Sequence, residues 1–141
     1  MELKVPPAEL ITINPDRWTA PFWAAAQEHR LVCARCRNCG RFRMPAGPFC
    51  PQCQSQEVEW PELSGHGTVF TYTIVMHPVL PSLRECVPYA VAAVTLPDAD
   101  GVRLLGNIVE MDSDQLAVDL PVKVQWADIA DGVVVPRFAP A

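Results

Sequence analysis

Hydrophobic and polar positions alternate through the second half of the chain. Val122, Val124 and Trp126 are separated by Lys123 and Gln125, the period of a strand with one buried and one wet face. The same pattern, with β-branched and aromatic enrichment, predicts strands over residues 68–77, 89–96, 102–110, 122–127 and 133–138. Asp98-Ala99-Asp100-Gly101 and Asp131-Gly132 carry hairpin turn chemistry between the second and third strands and between the fourth and fifth. Between the third and fourth, Ser113-Asp114-Gln115-Leu116 begins with a cap residue and predicts one helical turn before Pro121. Five strands with a break after the third predict a small Greek-key barrel of the OB type, with a five-stranded sandwich fragment as the alternative.

The first half follows another pattern. Residues 1–15 contain Pro6, Pro7 and Pro15 and predict an extended arm. Residues 19–28 read as a helix, with Thr19 as cap and Pro21 in the first turn, where a missing N–H costs little. Trp18, Phe22, Trp23 and Ala26 fall on one side of it. So aromatic a side either caps the protein's own core or docks on a partner, since aromatics are enriched at interface cores. A short strand over 31–35 and a return strand over 57–60, ended by Pro61, bracket a cysteine-rich stretch. The expected division is an arm and aromatic helix over 1–30, a ribbon over 31–62 and a barrel over 63–141.

Between those two strands lie Cys36-Arg37-Asn38-Cys39-Gly40 and Cys50-Pro51-Gln52-Cys53. Each Cys-x-x-Cys pair wraps two sulfurs round one side of a metal, and Gly40 supplies a residue able to take positive φ just after the second sulfur. Four thiolates complete a tetrahedron and leave no position for water or substrate, so the expected metal is structural zinc on Cys36, Cys39, Cys50 and Cys53. Disulfides fit poorly, because residues 1–13 have neither the basic start nor the long apolar run of a secretory leader. A redox pair would leave the second Cys-x-x-Cys unexplained. Cys33 is read as a strand residue packing as a small hydrophobe. A ribbon of this size cannot bury enough surface to stand without its metal.

Composition and charge narrow the possibilities. The fifteen prolines among 141 residues favour short strands and turns over long helices. No apolar run reaches membrane-spanning length, and a soluble cytoplasmic protein is expected. The formal net charge of -5 conceals a division: residues 30–54 hold Arg30, Arg35, Arg37, Arg41 and Arg43 and no acid, whereas residues 55–141 hold twelve acids against four bases. An acidic barrel opposes a phosphate backbone, which disfavours the nucleic-acid binding that ribbons and OB folds otherwise serve.

The connection over 78–88 is apolar where loops are ordinarily polar, offering Val79, Leu80, Leu83 and Val87 between three prolines. It reads either as a docking surface or as a flap over the end of the barrel. Catalytic signatures are lacking: there is no Gly-rich phosphate loop and no Gly-x-Ser-x-Gly elbow, and Cys86 with His77 has no third orienting group in view.

Pro21-Phe22-Trp23, the two Cys-x-x-Cys pairs, Gly67-Thr68-Val69, Leu105-Gly106-Asn107 and Pro136-Arg137-Phe138 occur in an order that resembles one family. It is the acyl-CoA-associated zinc-ribbon/OB-fold family known as domain of unknown function thirty-five, and the resemblance covers about residues 15–140. It implies a mainly β fold: an N-terminal helical segment, a rubredoxin-like four-cysteine zinc ribbon and a five-stranded OB-fold barrel. It also implies a non-catalytic partner of thiolase-superfamily enzymes, among them thiolases, acyltransferases and steroid side-chain aldolases, with enoyl-CoA hydratases as further associates. By that analogy the chain braces a catalytic subunit and helps form its acyl-CoA entrance, with a free-standing acyl-CoA-binding protein as the alternative. Phe22, Trp23, Leu80 and Leu83 are the expected partner contacts, and Arg37 and Arg41 the expected contacts to coenzyme A phosphates.

Overall fold

The computed structural model describes residues 1–141. An arm leads into helix α1 (Ala20–Gln27) and then three short strands, β1 (Ala34–Cys36), β2 (Phe42–Arg43) and β3 (Val58–Glu59). Five longer strands follow: β4 (His66–Val75), β5 (Tyr89–Leu96), β6 (Val102–Ile108), β7 (Pro121–Ala130) and β8 (Val133–Pro140). These five close into a barrel in the order β4-β5-β6-β8-β7, with β6 and β8 parallel and the other neighbours antiparallel. That is the expected OB architecture. The sandwich alternative falls because β4 pairs with β7 and no sheet edge is left open.

The alternation in the sequence explains the closure. Along β5, Ala90, Ala92, Val94 and Leu96 point inward and are almost wholly buried, while the residues between them are half-buried. An irregularity between Val69 and Thr71 puts Phe70 into β4 as an extra residue, which bends the strand. Phe138 on β8 lies over Gly106 on β6, so close that a Cβ there would sit 3.1 Å from the ring. Two of the short sequence motifs are thus facing halves of one contact, and Asn107 adds an Nδ2 donation to the Ala90 carbonyl at 2.9 Å.

The core does not stop at the barrel. Leu31, Cys33 and Leu63 belong to the same buried cluster as Val69, Val94, Ile108 and Phe138. The Leu63 amide donates to the Leu31 carbonyl at 2.8 Å, and the Cys33 amide to the Pro61 carbonyl at 3.3 Å. Those bonds draw residues 31–33 toward the connector, so the expected strand over 31–35 begins only at Ala34.

Three more expectations need correction. The arm is not simply extended: the Leu3 amide donates to the Met111 carbonyl at 2.9 Å, and the Leu3 side chain is buried in the core. Thr19 makes no side-chain cap on α1. Asp16 fills that role three residues earlier, its carboxylate accepting from the Trp18 and Thr19 amides, which holds its own pKa below the usual range. Finally, α1 is most deeply buried at Ala25 and Ala26, whose small side chains let the helix approach the barrel; of the expected stripe, Ala26 is thus buried and Phe22 packs against the core, while Ala25 lies outside it. Gln27 donates to the Gly132 carbonyl at 3.0 Å, and His29 stacks on Trp126. Phe22 and Trp23, packed edge to face with centroids 5.0 Å apart, remain half-buried.

Candidate metal centre

Strand β1 delivers Cys36 into a tight turn. The Gly40 amide donates to the Cys36 carbonyl at 2.9 Å, the Cys36 amide donates to the Arg41 carbonyl at 2.8 Å, and Gly40 takes φ +79° as expected. The second turn repeats the first. The Gln54 amide donates to the Cys50 carbonyl and the Cys50 amide to the Ser55 carbonyl, both at 2.9 Å. Gln54 occupies the position equivalent to Gly40 and also takes positive φ, at 63°. That left-handed residue had no glycine to announce it.

The two turns face each other and bring Cys36, Cys39, Cys50 and Cys53 together, with all four sulfurs within 4.8 Å of one another. Cys36 Sγ lies 3.6 Å from Cys53 Sγ, and Cys39 Sγ lies 3.5 Å from Cys50 Sγ. Zn–S bonds of about 2.3 Å put tetrahedral sulfurs roughly 3.8 Å apart, so these two pairs match zinc to within a few tenths of an ångström. A disulfide needs about 2.05 Å, so these pairs are not bonded to one another. Backbone amides lower two of the thiols, that of Cys39 acting on Cys36, down to about 6, and that of Cys53 on Cys50, whereas burial and the crowding of the other three sulfurs push Cys39 up to about 11. Cys33 is wholly buried, and its burial pushes the thiol up to about 11. It sits outside the cage as a neutral core residue.

The other expected site residues are dispersed. Arg37 and Arg41 are exposed and enter none of the ion pairs, although Arg41 reaches Gln52 at 3.4 Å and shares a cleft with Asp100. The basic face is smaller than the sequence count implied, because Arg30 pairs with Glu28 and Glu62, Arg35 pairs with Glu59 at 2.7 Å, and Arg43 is buried. On the β4–β5 connection, Val79 is 74 % and Leu80 48 % exposed. Leu83 turns inward from a 3-10 turn over Pro81–Cys86 and is buried, so it supports this surface from beneath and does not line it. Phe22 and Trp23 wall a cavity of about 150 Å³ between α1 and the ribbon. Arg43 reaches the same cavity, and no count of charges could have revealed it, since burial of one arginine among five is a property of the fold.

Comparison with known proteins agrees with this geometry. Residues 23–59 match the model of the ChsH2 rubredoxin-like zinc ribbon domain, and residues 60–127 that of the ChsH2 C-terminal OB-fold domain. The four-sulfur cage and this match make zinc the cofactor of the ribbon. A DUF35 domain-containing scaffold protein of Methanocaldococcus jannaschii is 30 % identical over 84 % of this chain and 86 % of its own length. A probable enoyl-CoA hydratase alpha subunit of Thermomonospora curvata is 37 % identical over 92 % of this chain. The match spans only 39 % of that relative's length. A solved structure described as an Ltp2-ChsH2(DUF35) aldolase superposes with a TM-score of 0.82 at 34 % identity, covering 92 % of this chain and 98 % of that one. The chain therefore belongs to the DUF35 family, in its ChsH2-like form with a zinc ribbon followed by an OB-fold barrel.

Proposed function

We propose that this chain is a non-catalytic accessory subunit that binds and stabilises a thiolase-superfamily enzyme acting on acyl-CoA, an aldolase of the Ltp2 kind being the favoured partner. The observation that carries this reading is the match to 98 % of a chain in the Ltp2-ChsH2(DUF35) aldolase, which leaves almost no part of that chain without a counterpart here. The scaffold name of the Methanocaldococcus relative supports it as well. In this reading the chain works as an arm and helix over 1–30, a ribbon over 31–62 and a barrel over 63–141. Zinc on Cys36, Cys39, Cys50 and Cys53 fixes the ribbon, and the catalytic groups belong to the partner. Val79 and Leu80 offer apolar surface for docking, and Phe22 and Trp23 present a second such surface. Arg37 and Arg41, without acid partners, are the groups available to coenzyme A phosphates.

A second reading follows from the hydratase relatives, of Thermomonospora curvata and of Mycobacterium tuberculosis, the latter named a 3-oxo-4,17-pregnadiene-20-carboxyl-CoA hydratase alpha subunit. There the chain serves an enoyl-CoA hydratase. Mild affinity capture of the tagged chain from its native cells, with mass spectrometry of what accompanies it, separates the two. A thiolase-fold enzyme in near-equal amount is the expected result, and a hydratase polypeptide alone would favour the second reading. A chain recovered alone or with RNA overturns both.

A further inference from the structure

Among the four cage cysteines, Cys36 and Cys50 are buried and Cys53 is half-buried, whereas Cys39 is exposed. Cys39 also lines a cleft of about 480 Å³ between the ribbon and the turn after β5, a volume within the range of small-molecule sites. Arg41 and Gln52 line the cleft from the ribbon, and Asp100 lines it from the turn. Arg41 and Asp100 are exposed and enter no ion pair, with each other or elsewhere. One cleft thus offers an unpaired cation, an unpaired carboxylate and a cysteine. A sulfur of the other turn, that of Cys50, lies 3.5 Å from the Cys39 sulfur.

We propose that this cleft admits a small disulfide whose ends carry both ammonium and carboxylate groups, and directs it to Cys39. A ligand carboxylate meets Arg41 and a ligand ammonium meets Asp100, a recognition that an uncharged disulfide lacks. A cysteine that ligates zinc is already a thiolate, the nucleophile of thiol–disulfide exchange. The Cys39 sulfur attacks one sulfur of the ligand to form a mixed disulfide, and the other half leaves as a thiolate with the electron pair of the broken bond. Cys50 then attacks the Cys39 sulfur and expels the second half as a thiolate. Two cage thiolates are oxidised to one Cys39–Cys50 disulfide, one ligand disulfide is reduced to two thiolates, and only two sulfurs remain for the metal, half of a closed structural site. The new bond joins the two turns, so they stay tied together while zinc is lost. The reaction needs no partner enzyme and stands independently of the accessory role, although Arg41 cannot serve this ligand and a coenzyme A phosphate at once.

The test incubates the zinc-loaded chain at low salt with glutathione disulfide, or with uncharged hydroxyethyl disulfide, and follows zinc release with a metallochromic dye. Each rate is divided by that of the same reagent with the neutral thiol N-acetylcysteine amide, which removes differences in intrinsic reactivity. The corrected rate should be about fivefold greater for glutathione disulfide, each exposed charge contact contributing about a factor of two. Arg41→Gln and Asp100→Asn should each halve that ratio, while zinc content and the hydroxyethyl disulfide rate stay those of the parent. Peptide mapping of quenched, alkylated samples should find the first adduct on Cys39 and the first cross-link between Cys39 and Cys50. Equal corrected rates for the two reagents overturn the proposal, as does a first adduct on Cys53 or a ratio that survives both substitutions. If either variant loses its zinc, the parent chain still decides through the rate ratio and the position of its first adduct.

Discussion

The ribbon and the barrel are neighbours held together by different physics. Ribbon pairing amounts to short registers, Ala34 with Arg43, Arg35 with Phe42 and Glu59, and Cys36 with Val58. Barrel ladders run the length of β4, β5, β7 and β8. Away from the seam, the most buried ribbon residues include two cysteines and an arginine, whereas the barrel buries Val69, Val94, Leu96, Ile108, Val122 and Phe138. Burial of apolar area can specify the barrel by itself. It cannot specify the ribbon, so four sulfurs and a metal take its place, and a ribbon fixed in this way can tolerate a side chain such as Arg43 that burial alone would reject.

Chelation should separate the two regions most sharply. Structural zinc contributes on the order of 10–16 kcal/mol to small metal-folded domains. After treatment with a strong chelator, hydrogen exchange is expected to show the Cys36, Gly40, Cys50 and Gln54 amides fully exchanging while those of Val69, Ala92 and Val94 stay protected. Cys36→Ser and Cys53→Ser should lose zinc and, with the seam at Leu31 and Cys33 uncovered, turn largely insoluble. Loss of protection in both regions in one step would mean that the shared core makes them a single cooperative unit, and the contrast drawn above would fail.

The complementary substitution strikes the barrel. Phe138→Ala removes a wholly buried ring from its place against Gly106 and should cost about 3–5 kcal/mol. Denaturant unfolding measures the loss, and metal analysis should still return one zinc per chain. A mutant that sheds its zinc as readily as it loses stability would contradict the division.

How far the sequence disclosed all this follows the same line. The barrel strands were legible because alternation is a local signal, and Tyr89–Leu96 emerged with the expected bounds. The sulfur cage was legible because metal-ligand spacing is also local. Tertiary facts were not: Leu3 reaching the core, Leu83 turning inward and Ala25 becoming one of the two most buried residues of the helix depend on residues distant in the chain. Arg43 is the sharpest case, since it belongs to the same basic run as the exposed Arg41 two positions earlier.

The paired turns around the metal offer a gentler probe. Gln54 holds φ 63°, where a side chain is disfavoured by about 1 kcal/mol relative to glycine, and its Nε2 bond to the Pro51 carbonyl is long at 3.4 Å. Gln54→Gly should therefore tighten zinc about fivefold in competition with a chelator, through a ribbon more easily formed. Gly40→Gln should weaken it by a similar factor, as no neighbour lies within 4 Å of a Cβ there and only the backbone strain opposes the change. Weaker zinc in Gln54→Gly would show that the side chain matters more than the strain.

The smallest effect is expected at the seam itself. Ser64, on the connector from ribbon to barrel, bonds Asp98 in the turn after β5, its amide donating to the carboxylate at 2.8 Å. The Ser64 hydroxyl and then its amide hold the Asp98 pKa below the usual value. A carboxylate with a lowered folded-state pKa adds stability above its unfolded value of about 3.9, and that stability is lost as pH falls through the folded one. Asp98→Asn should therefore melt below the parent at pH 6 and converge with it as the pH approaches 2, with only a slight gap because the group is exposed. If the gap stays constant with pH, the Ser64 bond contributes geometry and not charge. If it widens in acid, Asp98 does not tie the two regions together, and the shared core at Leu31, Cys33 and Leu63 must hold the seam alone.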